Sequence, residues 1–275
     1  MPELPEVETI VRSLQKQIIS QKILKIEVNL PKIIKSHQEE FVSLTEGASI
    51  QDVSRRGKII LISLSTGVTI LIHLKLTGQL IYSSSKKPIT TQTHLIFNLS
   101  SGDQLRYLDL RQFGYFLLEK SDRLSLLKEL AILGPEALEI SLADFKKVSK
   151  KRGRIKVLLM NQSILAGIGN MYADEILHQA KIHPLCLACV LSEDQIERLY
   201  QATREILTKA IAYKGSSVDT YINTNGEEGS YQRFHQVYQR EGKQCFSCSS
   251  KIIRLKINSR SSHFCPNCQK REPEN

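Results

Sequence analysis

The chain has 275 residues, 41% hydrophobic and 24% charged. Those proportions exclude wholesale disorder and allow one large or two modest domains with a small third module. Lys and Arg total 38 against 28 Asp and Glu, and this formal charge of +10 favours a polyanionic partner, nucleic acid ahead of an anionic membrane, over an inert basic surface. No uninterrupted apolar run approaches the roughly 18 residues a membrane span needs. The start, Met1-Pro2-Glu3-Leu4-Pro5-Glu6, has neither the basic opening nor the apolar core of a signal peptide, so a cytoplasmic protein is expected.

Leu4, Val7, Val11 and Leu14 recur at helical spacing and predict a first helix over residues 5–17, with Pro5 suited to its first turn. From residue 23 to about 119 the texture is β-rich. Ile26, Val28 and Leu30 alternate, and the runs 59–64, 68–76, 95–99, 105–110 and 115–118 are punctuated by Ser65-Thr66-Gly67 and Ser100-Ser101-Gly102. Many short strands at this spacing predict a sandwich or barrel. From about residue 124 the period becomes helical. Ser141 can cap one helix, and Ser192 with Gln195 forms a capping box opening a long helix to about residue 212. Residues 216–233, rich in Gly, Asn, Ser and Glu, read as a long loop of the kind that is functional or mobile. A small cysteine-bearing module begins near residue 237, and no internal repeat or low-complexity tract is present.

Four of the six cysteines fall in that module as Cys245-Phe246-Ser247-Cys248 and, sixteen residues later, Cys265-Pro266-Asn267-Cys268. A cytosolic chain rarely carries structural disulfides, and C-x2-C-x16-C-x2-C lets each pair clamp one side of a tetrahedral zinc with a β-hairpin between. Four thiolates fill the coordination sphere, so one structural Zn2+ with no position for a catalytic water is expected. Lys251, Arg254, Lys256 and Arg260 lie between the pairs, either as phosphate contacts on the hairpin or as a solvated basic face. Cys186 and Cys189 form a third pair with nothing nearby to complete a site, and read as ordinary semi-buried thiols.

Pro2 would become a secondary amine on removal of Met1, and such an amine attacks a carbon electrophile to give an iminium without further activation. Glu3 and Glu6 stand beside it as candidate proton donors. Taken alone, the same residues also fit an ordinary helix start with proline and acids in the first turn.

The opening Met1-Pro2-Glu3-Leu4-Pro5-Glu6-Val7-Glu8-Thr9 resembles that of bacterial formamidopyrimidine-DNA glycosylases. Further segments agree in order: Arg56-Gly57-Lys58, His73-Leu74-Lys75-Leu76-Thr77-Gly78, Asp109-Leu110-Arg111-Gln112-Phe113-Gly114 and Leu133-Gly134-Pro135-Glu136. Gly167-Ile168-Gly169-Asn170-Met171-Tyr172-Ala173-Asp174-Glu175, Ile182-His183-Pro184, Arg260 and the four cysteines complete a match over essentially the whole chain.

The resemblance implies an α+β multidomain fold. It comprises an N-terminal β-sandwich with flanking helices carrying catalysis (1–130), a helix-two-turn-helix DNA-binding domain with a lesion loop (131–236) and a β-hairpin zinc finger (237–275). It implies base excision repair: removal of oxidised purines such as 8-oxoguanine and formamidopyrimidines from double-stranded DNA, then strand cleavage on both sides of the abasic sugar. Pro2 would attack C1′ of the damaged nucleotide and Glu3 would protonate the sugar as its ring opens. Lys58 would contact phosphate and assist β-elimination, and Arg260 would grip the lesion phosphates for δ-elimination. A base inside a duplex must be flipped out. Phe113 matches the family's intercalating aromatic, Arg111 the reader of the orphaned cytosine, and Leu76 a second wedge usually Met, although core packing is the alternative for Phe113 and Leu76. Asn170, after the Gly167-Ile168-Gly169 turn, suits a phosphate. Residues 146–156 hold seven basic residues and no acid, and Arg152 and Lys156 match positions contacting backbone or the flipped base. His73, Gln92 and His94 complete the DNA-binding set.

Departures from the family pattern are Gln92 where a histidine pair with His94 is common, Leu110 and Gln112 beside Arg111, and Ser259 with Ser261-Ser262 around Arg260. They touch DNA binding or opposite-base preference and remove no proposed catalytic group. Two rivals stand beside this expectation. One is the sister endonuclease of the superfamily, which prefers oxidised pyrimidines but departs at Leu4, Val7-Glu8-Thr9 and 111–113. The other is a non-enzymatic zinc-finger DNA-binding protein, which has no use for a free N-terminal proline. A monomer, nucleoid-associated when bound to DNA, is expected.

Overall fold

A computed structural model describes residues 1–271, and they form two compact units, residues 1–131 with 213–230 and residues 132–212 with 231 onward. In the first, α1 (Leu4–Ile18) is followed by β1 (Ile23–Val28), α2 (Gln38–Thr45), β2 (Ile50–Arg56), β3 (Ile59–Leu64), β4 (Val68–His73), β5 (Gly78–Ser84), β6 (Thr93–Leu99), β7 (Asp103–Asp109), β8 (Tyr115–Lys120) and α3 (Lys128–Ala131). The strands make two antiparallel sheets, β1-β6-β7-β5 and β2-β3-β4-β8. Their inward residues share one core, including Ile26, Leu80, Phe97 and Tyr107 from one sheet and Val53, Ile62, Ile70 and Phe116 from the other. Phe116 is its aromatic centre, meeting Tyr107 edge-on at 4.9 Å and Phe97 at 6.1 Å. The expected sandwich is therefore present.

The amphipathic α1 buries Leu4, Val7, Ile10, Val11, Leu14 and Ile18 and packs against β2, β3 and β5. The run expected over 68–76 is a strand only to His73, and the chain then turns toward β5 through Lys75 at φ +53°. β2 escaped the pattern reading because only Ile50 and Val53 of its seven residues are buried.

The second unit holds α4 (Leu142–Ser149), α5 (Ile155–Met160), α6 (Asn170–Gln179), α7 (Glu193–Ala212), β9 (Ile253–Ile257) and β10 (Arg260–Phe264). The two expected caps are present. Ser141 Oγ accepts from Asp144 N at 3.1 Å, and Ser192 N donates to Gln195 Oε1 at 2.8 Å while Gln195 N donates back to Ser192 Oγ at 3.2 Å. The 131–236 stretch is interrupted: residues 213–230 belong with the sandwich, the excursion being closed where Ser230 N donates to the Tyr213 carbonyl at 2.9 Å. Among the described residues no helix is long and apolar enough to cross a membrane.

Candidate active site

At the start of α1, Pro2 is buried and Glu3 and Glu6 are 3% and 1% exposed. Glu6 Oε2 accepts from Glu3 N at 2.8 Å and its Oε1 accepts from Ser216 N at 2.9 Å. Both oxygens of Glu6 thus accept backbone N–H bonds, which makes it a strut between the helix start and residues 213–230. Gly215 packs against that strut at φ +77°, where a Cβ would lie 2.8 Å from Glu6 Oε1, so a larger residue there is strained and displaces the carboxylate.

Lys58 is the second residue of the β2–β3 turn, after Gly57 at φ +56°, with Arg56 and Ile59 closing the ladder. Its side chain is buried to 8% exposure. Ile59 pairs with His73 on β4. Burial, then the ammonium groups of Lys75 and Lys58, push the His73 imidazole down to about 3, so it is neutral at physiological pH. Its Nδ1 accepts from Lys75 N at 3.1 Å, which leaves Nε2 to carry the proton, and His73 offers an uncharged donor rather than a cation.

The tip 110–113 protrudes. Phe113 is 53% exposed, with the Arg111 guanidinium 4.8 Å above its ring centroid, so the core-packing alternative fails for Phe113. Leu76 is half-buried and Gln92 exposed. His94 on β6 is buried and bonds through Nε2 to the Asp109 carbonyl at 2.8 Å.

In the second unit, Gln162 organises the turns between α5 and α6. Its Nε2 donates to the Met160 and Ile168 carbonyls at 3.0 and 2.7 Å, and its Oε1 accepts from Gly167 N at 2.9 Å. Asn170 begins α6 there, with an Oδ1 that is buried and has no hydrogen-bond partner among the described residues. Arg152 is exposed. Lys156 is not part of the exposed basic face. Its side chain is 1% exposed, with Nζ 2.6 Å from Asp174 Oδ1 and 3.0 Å from the Ser261 carbonyl. Asp174 also accepts from Ser262 Oγ at 3.0 Å and His263 N at 2.9 Å, so a buried ion pair secures β10 to α5 and α6. Glu175 accepts from the backbone N–H groups of Gln236, Val237 and Tyr238 at 2.8–3.0 Å. Burial nevertheless holds its carboxyl above the usual range, against those three bonds.

Arg260 is exposed and opens β10 after Asn258 and Ser259, both in the left-handed region at φ +44° and +65°. It lines a cavity of about 280 Å³ with Val157, Met160, Asn161 and Ile257. The four Sγ atoms of Cys245, Cys248, Cys265 and Cys268 lie within 4.8 Å of one another, with separations of 3.3, 3.4 and 3.8 Å among them. Zinc–sulfur bonds of about 2.3 Å in a tetrahedron require about 3.8 Å between sulfurs, so the cluster fits one structural Zn2+. Cys186 and Cys189 lie outside it.

Pattern reading missed Asp109, Gln162, Asp174 and Glu175 as organisers. For the three acids the available signal was a carboxylate inside a motif of a basic, nucleic-acid-seeking chain, because a carboxylate is repelled by phosphate; Gln162 carried no such signal.

Three family models match along the chain. They are the formamidopyrimidine-DNA glycosylase N-terminal domain at residues 1–116, the formamidopyrimidine-DNA glycosylase H2TH domain at 133–222, and the zinc finger found in FPG and IleRS at 242–271. A formamidopyrimidine-DNA glycosylase of Pelotomaculum thermopropionicum is 47% identical over 98% of this chain and 99% of its own. Another, of Listeria innocua, is 42% identical over 98% of this chain and 100% of its own. Among solved structures, Lactococcus lactis Fpg bound to DNA containing an abasic site superposes with a TM-score of 0.92 at 35% identity, covering 98% of this chain and 100% of that one. The same coverage, TM-score and identity hold for the wild-type Lactococcus lactis enzyme bound to DNA containing an oxidised pyrimidine.

Proposed function

The chain belongs to the formamidopyrimidine-DNA glycosylase family, and from that membership we propose that it is a bifunctional DNA glycosylase and AP lyase of base excision repair, removing oxidised purines from duplex DNA. The observation that carries this is the buried Pro2–Glu3 start of α1, held by Glu6, in a chain related to these enzymes over its full length.

The Pro2 nitrogen, a secondary amine once Met1 is gone, attacks C1′ of the flipped nucleotide. The C1′–N9 bond breaks and the base leaves with that electron pair and the proton that the Pro2 nitrogen gives up on bonding to C1′. Glu3 gives a proton to O4′ as the C1′–O4′ bond opens, and an iminium joins Pro2 to C1′. Removal of a C2′ proton expels the 3′-phosphate and a second elimination expels the 5′-phosphate. Lys58 serves the first and Arg260 the second. Phe113, Arg111 and Leu76 occupy the hole left by the flipped base. Asn170, Arg152, His73 and Gln92 contact the backbone. Catalysis is assigned to the 1–130 domain, backbone binding to the helix-two-turn-helix domain and phosphate grip to the zinc finger from residue 237. The protein acts as a cytoplasmic monomer, nucleoid-associated when bound to DNA.

Borohydride trapping on a duplex with one 8-oxoguanine opposite cytosine tests this. A cross-link mapped to Pro2 by mass spectrometry, with a matched pyrimidine-lesion duplex trapping poorly, is expected. The Lactococcus lactis complex with an oxidised pyrimidine makes the second duplex informative: trapping on it alone would identify a pyrimidine-directed enzyme. No trapping on either by Met-free, zinc-loaded protein would leave a DNA-binding protein without catalysis.

A further inference from the structure

We infer that Asp109, itself buried and assigned no contact with DNA, is the positioning residue that fixes the two tips carrying Leu76, Arg111 and Phe113; this rests on the assignment of those three to the hole left by the flipped base. Asp109 ends β7 opposite Gly78, the first residue of β5, and is 1% exposed. Its Oδ1 accepts from Thr77 Oγ1 at 2.5 Å and Arg111 N at 3.2 Å. Its Oδ2 accepts from Tyr107 Oη at 2.9 Å and Gly114 N at 2.8 Å. Thr77 adjoins Leu76 on one tip, while Arg111 and Gly114 bracket the other, so one carboxylate joins both.

The main chain of Asp109 is held as well, its N donating to the Gln92 carbonyl at 3.2 Å and its O meeting His94 Nε2 at 2.8 Å. Burial opposes ionisation of the carboxyl, but the bonds from Thr77, Gly114, Tyr107 and Arg111 outweigh it and keep Asp109 below the usual carboxylate range. The packing admits no slack: a Cβ on Gly114 would lie 1.9 Å from Tyr107 Oη. Gln112, between Arg111 and Phe113, takes φ +56°, a conformation that costs on the order of 1 kcal/mol and persists where the surroundings fix it.

The chemistry dictates the substitution. In Asp109→Asn one oxygen becomes an NH2 donor. A hydroxyl can rotate to accept from it, but the N–H of Arg111 or of Gly114 cannot, so one end of the tip is released while charge is the only other property lost. The readout is fluorescence of 2-aminopurine opposite a stable abasic analogue, which reports insertion into the stack without requiring excision. Asp109→Asn is expected to abolish the insertion signal and lower kcat/KM on 8-oxoguanine opposite cytosine about tenfold, the scale of a lost buried charge-assisted contact. Combined with Arg111→Ala, it is expected to add less than about twofold, because both act through one element.

Thr77→Val is the second variant and will show the same loss at smaller size, with zinc content and Tm near wild type and with Thr77→Ser restoring the signal. A wild-type insertion signal in Asp109→Asn, or in Thr77→Val should the first fail to fold, overturns the inference, as do losses that multiply. Wild-type protein that inserts but excises nothing would instead overturn the proposed function.

Discussion

The β2–β3 turn and the β9–β10 turn each contain two residues and each presents a cation, Lys58 within the first and Arg260 at the close of the second. What fixes them differs. The first turn hangs from a sandwich whose shared core draws on both sheets and on α1, and Lys58 is almost fully buried. The second belongs to a module whose own buried cluster is Val237, Cys245, Ile252 and Cys265, too small to order a hairpin unaided, and Arg260 stands exposed. One cation is positioned by packing, the other by a metal site together with the buried Lys156–Asp174 pair that secures β10. A buried lysine with fixed neighbours suits a single proton-handling or phosphate contact, whereas an exposed arginine on a metal-stiffened hairpin suits gripping a polyanion that arrives from solvent.

The largest effect that separates the two turns is loss of the metal. Cys265→Ser is expected to remove a binding free energy on the order of 10 kcal/mol from the finger alone. Atomic absorption will show zinc lost, filter binding will show DNA affinity lost, and the far-UV signal of the sandwich will persist. Loss of the sandwich signal as well would mean the two turns share one support.

Next in size, Ile62→Ala on β3 opens a cavity in the sandwich core and is expected to cost about 2–5 kcal/mol in urea unfolding, with zinc content unchanged. Third is the acid side. Burial is the chief cause that lowers His73, near the first turn, to about 3 and His235, in the second unit, to about 4. The unfolded chain therefore binds these protons first, and stability present above about pH 6.5 is lost as pH falls toward 4, by about 1–2 kcal/mol per histidine between pH 7 and 5. Unfolding midpoints across that range in His73→Gln and His235→Gln will show a shallower slope. An unchanged slope in both variants would refute the assignment. Smallest is an exchange at the turns themselves. Gly57→Ala, at φ +56°, is expected to destabilise by roughly 1 kcal/mol, and Ser259→Gly, at φ +65°, to stabilise by a few tenths of that or more.

Much of this molecule was legible in its residues. The 59–64 run is β3 to the residue, both helix caps are where Ser141 and Ser192-Gln195 put them, and the cysteine spacing located the metal cluster. These features depend on local spacing. Three of the named side chains have a structural partner that their motifs do not show. Lys156 stands in a basic run and is buried against Asp174; His94 stands two residues from Gln92 and bonds a backbone carbonyl; Glu6 stands near Pro2 and binds two amides. Each depends on a partner distant in sequence, 15 to 210 residues away, and no local pattern carries that information. β2 was missed because five of its seven residues are not buried.

The Glu6 strut also has a dynamic reading. The amides of Glu3 and Ser216 share one acceptor group, and withdrawal of that carboxylate exposes both to solvent in the same event. In hydrogen exchange the two amides will open as a single cooperative unit, with equal protection that falls together in Glu6→Gln, although more than two hundred residues of chain separate them. The start of α1 and the loop at 213–230 are therefore one moving part, and neither can be reorganised by mutation without the other registering it.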